Sequence, residues 1–276
     1  MSDRYCVIGH PVAHSKSPLI HAAFAAQVGH DLVYERCLAP LDGFAATVRR
    51  LAVEGWRGAN VTVPFKLEAA RLATRLAPRA AAAGAVNTLL FDGAGIVGDN
   101  TDGAGLVADI VGNAGVPLAG RRVLLLGAGG AARGALLPLL QQGPATIVIA
   151  NRTLATAEQL AADFGAHAGR LQVSRFEDLD GAFDVVVNAT SASLAADLPP
   201  LPPAVFGAGT LALDMMYGER PTVFMDFAAA HGATARDGLG MLVEQAAEAF
   251  LLWRGVRPRT AELLASLRQP QSGPLA

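Results

Sequence analysis

Residues 123–133 read "VLLLGAGGAAR": an apolar run, then Gly127, Gly129 and Gly130, then an alanine-rich stretch. The run predicts a strand and the stretch after it a helix, so the glycines sit on a strand-to-helix turn. Their spacing fits G-x-G-x-x-A, with Ala128 between Gly127 and Gly129, Gly130 and Ala131 in the two variable positions, and Ala132 in the last small position. Gly127 permits the tight turn and Gly129 lets the backbone approach a pyrophosphate. Ala132 allows the helix to pack closely on the strand, and the free N–H groups of the helix start face an anion. Glycine spacing alone is a weak signal, but here it stands in the strand–turn–helix context that dinucleotide binding requires.

The next predicted strand, "ATIVIANR", ends in Asn151 and Arg152, and Thr153 follows it. A site for NAD usually carries Asp or Glu here, bonded to the ribose 2′-hydroxyl. An acid would repel a 2′-phosphate, whereas the planar guanidinium of Arg152 suits one. An arginine at a helix start gains nothing from the helix dipole, so a purely structural role explains it less well. The residues favour NADP over NAD.

Outward from this turn, strands and helices alternate along the whole chain. "YCVIG", "DLVYERCLA", "GANVTVP" and "AVNTLLFD" read as strands before it, and "FDVVVNAT" and "TLALDMMY" as strands after it. Helical stretches separate them, among them "SPLIHAAFAAQVG", "KLEAARLATRL" and "DGAGLVADIVGNAG", and "GLGMLVEQAAEAFLLWRG" and "RTAELLASLRQ" close the series. This alternation predicts an α/β protein built of βαβ units with parallel sheets. A second βαβ series begins at "VLLLGAGG", so two domains are expected, with a hinge near 102–120. The boundaries are 1–102, to which 242–276 packs back, and 103–241.

The 276 residues are 52% hydrophobic and 17% charged, enough to bury two ordinary cores, with disorder expected only in the tail "QPQSGPLA". The formal net charge is −2 and no Lys/Arg block occurs, which argues against nucleic acid. Cys6 and Cys37 lack metal-type spacing and read as reduced thiols. His10, His14 and His21 have no carboxylate or cysteine beside them, so no metal is expected. "MSDRYCVIG" is too short in apolar residues for a secretory leader, and the apolar stretches are interrupted before they span a bilayer. A soluble cytoplasmic protein with no membrane partner, a monomer or homodimer, is expected.

Four polar clusters stand out in the alanine-rich first half. They are Ser15, Lys16 and Ser17 in "HSKSP"; Thr62 and Lys66 in "NVTVPFK"; Asn87 and Thr88 in "AVNT"; and Asp99, Asn100 and Asp102 in "GDNTDG". Each alone has an ordinary explanation, Ser17 and Asp102 as helix caps among them. Together, three of them following strands, they suit a polyhydroxylated ligand, because hydroxyl and amide groups both donate and accept. Lys66 carries a mobile ammonium with three donors, fitted to stabilise negative charge on a carbonyl oxygen as it is reduced.

"HSKSP", "NVTVPFK", "AGAVNT", "GDNTDG", "GAGGAAR", "NRT", "NATS" and "DGLGMLVEQAA" follow one another in the order found in shikimate dehydrogenases, which the chain resembles from about Tyr5 to Gly255. The resemblance implies an N-terminal α/β substrate domain and a C-terminal Rossmann-like, doubly wound NADP-binding domain. It implies reduction of 3-dehydroshikimate to shikimate with NADPH, in the pathway to chorismate and the aromatic amino acids. Ser15, Ser17 and Tyr217 match groups that hold the substrate carboxylate, and Thr62, Asn87 and Gln245 those around the ring hydroxyls. Lys66 and Asp102 match the catalytic pair. Gly127, Ala128, Gly129, Gly130 and Ala131 match the pyrophosphate turn, and Asn151, Arg152 and Thr153 the 2′-phosphate cluster. Thr190, Met215, Gly238 and Met241 match further positions along the cofactor.

Two places depart from the family's pattern. Ala192-Ser193 follows "NATS" where a residue and then glycine is common, a departure in a loop expected near the cofactor, and Pro78-Arg79 stands where an acid is frequent, so no function is carried to that pair. Quinate/shikimate dehydrogenases are the nearest alternative, and Arg152 argues against their NAD-using form. A non-catalytic sensor of the same fold is expected to lose Lys66 or Asp102, and both are present.

Overall fold

The computed structural model describes residues 2–195 and 197–269; residues 270–276 of the tail lie outside the described residues. The first half contains β1 (Asp3–Gly9), α1 (Ser17–Val28), β2 (Leu32–Leu38), α2 (Phe44–Val53), β3 (Gly58–Val61) and α3 (Lys66–Leu72). The short β4 (Arg75–Leu76) and α4 (Pro78–Ala83), then β5 (Thr88–Phe91), β6 (Ile96–Asp99) and α5 (Asp102–Ala108), complete it. The second half contains β7 (Arg122–Leu126), α6 (Gly130–Gln141), β8 (Thr146–Ala150), α7 (Leu154–Asp163), β9 (Leu171–Ser174) and β10 (Val185–Asn188). It continues through β11 (Leu211–Asp214), α8 (Val223–Ala230), β12 (Thr234–Arg236), α9 (Leu239–Arg254) and α10 (Ala261–Arg268). Among the described residues no helix is long and apolar enough to cross a membrane.

The strands form two six-stranded sheets, ordered β2-β1-β3-β5-β6-β4 and β12-β11-β10-β7-β8-β9. The second is parallel throughout. Its β7 shows why: Val123 and Leu125 enter one core and Leu124 and Leu126 the other, so both faces are covered and the run is apolar throughout. The first sheet corrects the expectation of parallel strands. β5 runs antiparallel to β3 and to β6, although β1 pairs parallel with β2 and β3. A hairpin at Asp92-Gly93 turns β6 back along β5: Gly93 has φ 79°, and the Asp92 carboxylate accepts from the Ala94 N–H at 3.0 Å. Asp-Gly between apolar runs is a hairpin signal, and it divides what reads as one strand and a loop into two strands.

Both sheets reverse their order beside a central strand, where ligands of open α/β sheets collect. In the first sheet β1 has β2 on one side and β3 on the other, so the chain after Gly9 meets the chain after Val61. In the second, β8 lies on one side of β7 and β10 on the other, so the turn at Gly127 meets the loop after Asn188.

Helix α5 joins the halves, packing against both α6 and α9. Two glycines make this possible. A Cβ on Gly103 would lie 2.3 Å from the Gly134 carbonyl oxygen of α6, and one on Gly105 2.6 Å from the Gln245 nitrogen of α9. The helix continues as a π turn over Asp109–Asn113. There the fully buried Asp109 accepts two bonds from Arg236, at 2.9 and 2.6 Å.

Candidate active site

The placement of Lys66 follows from its neighbour. Phe65 is buried and stacks on Phe44, ring centroids 4.8 Å apart, which pins the turn that β3 feeds into α3. The Lys66 carbonyl accepts from the Val86 N–H at 2.9 Å, tying this turn to the segment that carries Asn87. Lys66 Nζ then donates to Asp102 Oδ2 at 2.6 Å, with side-chain exposures of 33% and 17%. Ion pairs in full solvent contribute about 0–1 kcal/mol, too little to account for withdrawing this one from water.

Asn87 is the hub. Its Nδ2 donates to Asp102 Oδ1 at 2.8 Å and lies within 3.0 Å of Thr101 Oγ1 and 3.2 Å of Gln245 Oε1. Its Oδ1 accepts from the Thr101 N–H at 2.8 Å and the Thr88 hydroxyl at 2.9 Å. Those donors fix which end of the amide faces Asp102. Behind them Asn60 Nδ2 donates to Thr88 Oγ1 at 3.1 Å, and the Tyr34 hydroxyl donates to Asn60 Oδ1 at 2.7 Å. A buried, internally satisfied chain of side chains therefore runs from Tyr34 to Asp102.

Neither Ser17 nor Asp102 uses its side chain as a cap. Each lies in the first turn of its helix, with Lys16 and Thr101 at the N-cap positions and no side-chain cap bond. Ser17 is buried, and its N–H donates to Ser15 Oγ at 3.2 Å. Arg36, on β2, donates to the Ser15 carbonyl through Nε at 3.1 Å and Nη2 at 2.7 Å. Thr62 is half-buried directly after β3, and a Cβ on Gly9 would lie 2.5 Å from its methyl, so the two loops touch. Tyr217 packs against the cluster that contains Ile20 and Phe24 of α1. Burial pushes its phenol above the usual range and keeps it a neutral donor.

In the second half, Gly127 has φ +97°, and its Cβ position lies 3.2 Å from both the Ala189 carbonyl and the Thr190 methyl. Gly129, Gly130 and Ala131 are exposed at the start of the twelve-residue α6, whose first turn holds no acid. A Cβ on Gly129 or Gly130 meets nothing within 4 Å, which leaves room for an anion at the helix N-terminus. Ala132 is fully buried in the core under α6. Arg152 and Thr153 are exposed beyond β8, and Asn151 Nδ2 donates to the Thr153 carbonyl at 2.9 Å. The Thr153 hydroxyl makes no cap bond. An anionic dinucleotide with a 2′-phosphate fits this set of donors. Thr190 donates its hydroxyl to Asn188 Oδ1 at 2.7 Å, and Met215 and Met241 pack partly against the core below the turn. Gly238 lets α9 begin against Met215, since a Cβ there would lie 2.2 Å from the Met215 carbonyl oxygen.

Sequence reading by clusters missed Thr101, Asn60, Tyr34 and Arg36. Thr101 lies inside "GDNTDG", where the acids drew attention. Tyr34 and Arg36 share one face of β2 by their i,i+2 spacing, the one signal that marks them together. Arg79, to which no function was carried, is structural: it forms two bonds with Asp99, at 2.8 and 2.7 Å, and one with Glu248 at 2.8 Å.

Three family models match the chain. They are the shikimate dehydrogenase substrate binding domain over residues 7–89, shikimate / quinate 5-dehydrogenase over 108–196, and the shikimate 5′-dehydrogenase C-terminal domain over 238–268. A shikimate dehydrogenase (NADP(+)) of Herminiimonas arsenicoxydans is 66% identical over 268 residues, 97% of this chain and 98% of the relative. The crystal structure of an Ael1 enzyme from Pseudomonas putida matches with a TM-score of 0.94 and 53% identity, covering 98% of this chain and 99% of that one. Shikimate 5-dehydrogenase from Thermus thermophilus, in complex with NADP(H) and shikimate, matches with a TM-score of 0.86 and 34% identity, over 96% and 98% of the two chains.

Proposed function

The chain belongs to the shikimate dehydrogenase family, and on that premise we propose that Lys66 and Asp102 are its catalytic pair in the NADPH-dependent, reversible reduction of 3-dehydroshikimate to shikimate. The observation that carries the reading is the 2.6 Å contact between Lys66 Nζ and Asp102 Oδ2 at the edge of a hydrogen-bonded network of side chains able to bind hydroxyl groups. NADPH, when bound, supplies the hydride for the carbonyl carbon. Gly127 to Ala131 and the start of α6 hold its pyrophosphate, and Asn151, Arg152 and Thr153 its 2′-phosphate. Thr190, Met215, Gly238 and Met241 line the remainder of its seat.

The side chains of the first half do the rest. Ser15, Ser17 and Tyr217 donate to the substrate carboxylate. Thr62, Asn87 and Gln245 pair with the ring hydroxyls. Asp102 occupies one donor direction of the Lys66 ammonium and leaves two for the substrate. Negative charge developing on the carbonyl oxygen is met by that ammonium, and the Lys66–Asp102 pair supplies the proton the alkoxide takes up. The domain division proposed is 1–102 with 242–276 for substrate and 103–241 for cofactor. It is supported by one sheet made only of strands before Asp102 and another only of strands after Arg121. A cytoplasmic location and a monomer or homodimer complete the proposal.

The test is NADPH oxidation on adding 3-dehydroshikimate, followed spectrophotometrically, with NADH replacing NADPH and quinate with NADP⁺ as the comparisons. Turnover with NADPH well above that with NADH supports the reading. No turnover of 3-dehydroshikimate by folded protein overturns it.

A further inference from the structure

Asp214, the last residue of β11, is fully buried, yet no cation pairs with it among the described residues. Its carboxylate is satisfied by donors from three separate segments. Ser193 Oγ donates to Oδ2 at 2.6 Å and Thr222 Oγ1 to the same oxygen at 2.7 Å. The Met216 N–H donates to Oδ1 at 3.0 Å, and Asn188 Nδ2 reaches Oδ2 at 3.3 Å. A buried carboxylate without a counter-ion depends on every one of these bonds, so the segments that supply them are held in register.

Those segments lead to different ligands. Ser193 belongs to the loop after β10, the loop whose Thr190 touches the Gly127 turn. Asn188 supports that loop from below, accepting from the Thr190 N–H at 3.1 Å and donating to Ser193 Oγ at 3.1 Å. Met216 and Thr222 bracket the loop that carries Tyr217, which packs onto α1, the helix that begins at Ser17. The Gly238 N–H donates to the Met216 carbonyl at 2.9 Å, and that loop is thereby fixed to the start of α9, the helix of Gln245. Ser193 and Asp214 thus join the wall of the cofactor seat to the wall of the substrate seat.

The Ser193 hydroxyl is the group that closes this connection from the loop after β10. We propose that Ser193, Asp214 and Thr222 form a latch that couples the two seats, so that filling the cofactor seat tightens binding of the substrate's carboxylate end. The three are positioning residues: they act through Thr190 and Tyr217. The latch rests on the reading of the cleft as a site for NADPH and shikimate.

Shikimate and NADPH, both reduced, form a ternary complex in which no reaction occurs, so the coupling is measurable by equilibrium titration. Shikimate is titrated into the protein alone and into protein saturated with NADPH. In the unaltered protein NADPH tightens shikimate binding by about fivefold or more, the lower range of coupling between sites. In Ser193→Ala and Thr222→Val the tightening falls to about twofold or less, and Ser193→Thr, which keeps the hydroxyl, restores it. Thermal denaturation of each variant shows that it is folded. A coupling factor in Ser193→Ala equal to that of the unaltered protein, or no coupling in the unaltered protein, overturns the latch and leaves the proposed function intact. Failure of the unaltered protein to bind either ligand overturns both.

Discussion

The two halves of the site are built on opposite principles. Around Asn87 the polar groups are buried and already bonded to one another, from Tyr34 through Asn60 and Thr88 to Asp102 and Lys66. Around Gly129 they are exposed and separate: a helix N-terminus, an arginine and a threonine at the surface. The substrate half is preorganised, so its geometry exists before any ligand arrives and a change there disturbs neighbours that depend on one another. The groups around Gly129 are separate from one another, so a change there is expected to remove one contact and little else.

This contrast is open to direct attack, and the largest effect is expected in the bonded half. Lys66→Met should lower kcat by about 10² to 10⁴ while the protein still folds and binds NADPH. Asp102→Asn should lower it as well, and the double variant should fall well short of the product of the two losses, because the pair acts as a unit. Near-normal kcat in Lys66→Met would return that lysine to the status of a surface group beginning a helix.

In the open half, Arg152→Ala should weaken NADPH by about 1.5–3 kcal/mol, the range for a hydrogen bond to a charged group. NADH should be almost unaffected, and kcat with saturating NADPH should change little. Equal weakening of both cofactors would show that Arg152 does not read the 2′-phosphate. Raising the salt concentration should shrink the difference, since the group is exposed.

The smallest effect separates the halves by pH. His21 lies one turn after Ser17, fully buried and stacked on Tyr34 with ring centroids 4.2 Å apart. Its Nε2 has no hydrogen-bond partner among the described residues. Burial pulls its imidazole down to about 3, whereas in the unfolded chain it takes up a proton near the ordinary 6.5. The unfolded state binds the extra proton between these values, so stability is whole above about 6.5 and declines as the pH falls toward 3, by about 1.4 kcal/mol per pH unit from this group. His21→Phe should flatten that decline, leaving a difference in pH slope from the unaltered protein of about that size. Denaturant unfolding at pH 7 and at pH 5.5 measures it, and equal slopes would show that His21 accepts a proton in the folded state.

How much of this was legible in the sequence follows the same division. The open half is local: "VLLLGAGGAAR" and "NRT" each carry their chemistry within a few consecutive residues, so spacing and residue type suffice. The bonded half is assembled across the chain. Asn87 meets Gln245, 158 residues away, and no local pattern announces such a contact. Motif order led to the named residues there, but not to those behind them, Tyr34 and Asn60, because the bonds that tie them to the site join strands 26 and 28 residues apart. The antiparallel β5 and β6 were hidden for another reason. Only "AVNTLLFD" reads as a strand there, the four residues of β6 are too few to show a period, and Asp92-Gly93 alone betrays the turn between them.

The glycines of α5 bear on anyone wishing to make this protein hardier. Replacing a helical glycine by alanine is a routine stabilising substitution, worth about 1 kcal/mol at an exposed position. At Gly103 and Gly105 the rule reverses. The added methyl would have to occupy space held by the backbone of α6 or α9, at 2.3 and 2.6 Å, and backbone cannot step aside as a flexible side chain can. The first residue of that helix is Asp102. A thermostability screen that scores helix propensity alone would therefore rank highly two substitutions that spread the joint between the halves and move the Asp102 carboxylate with it.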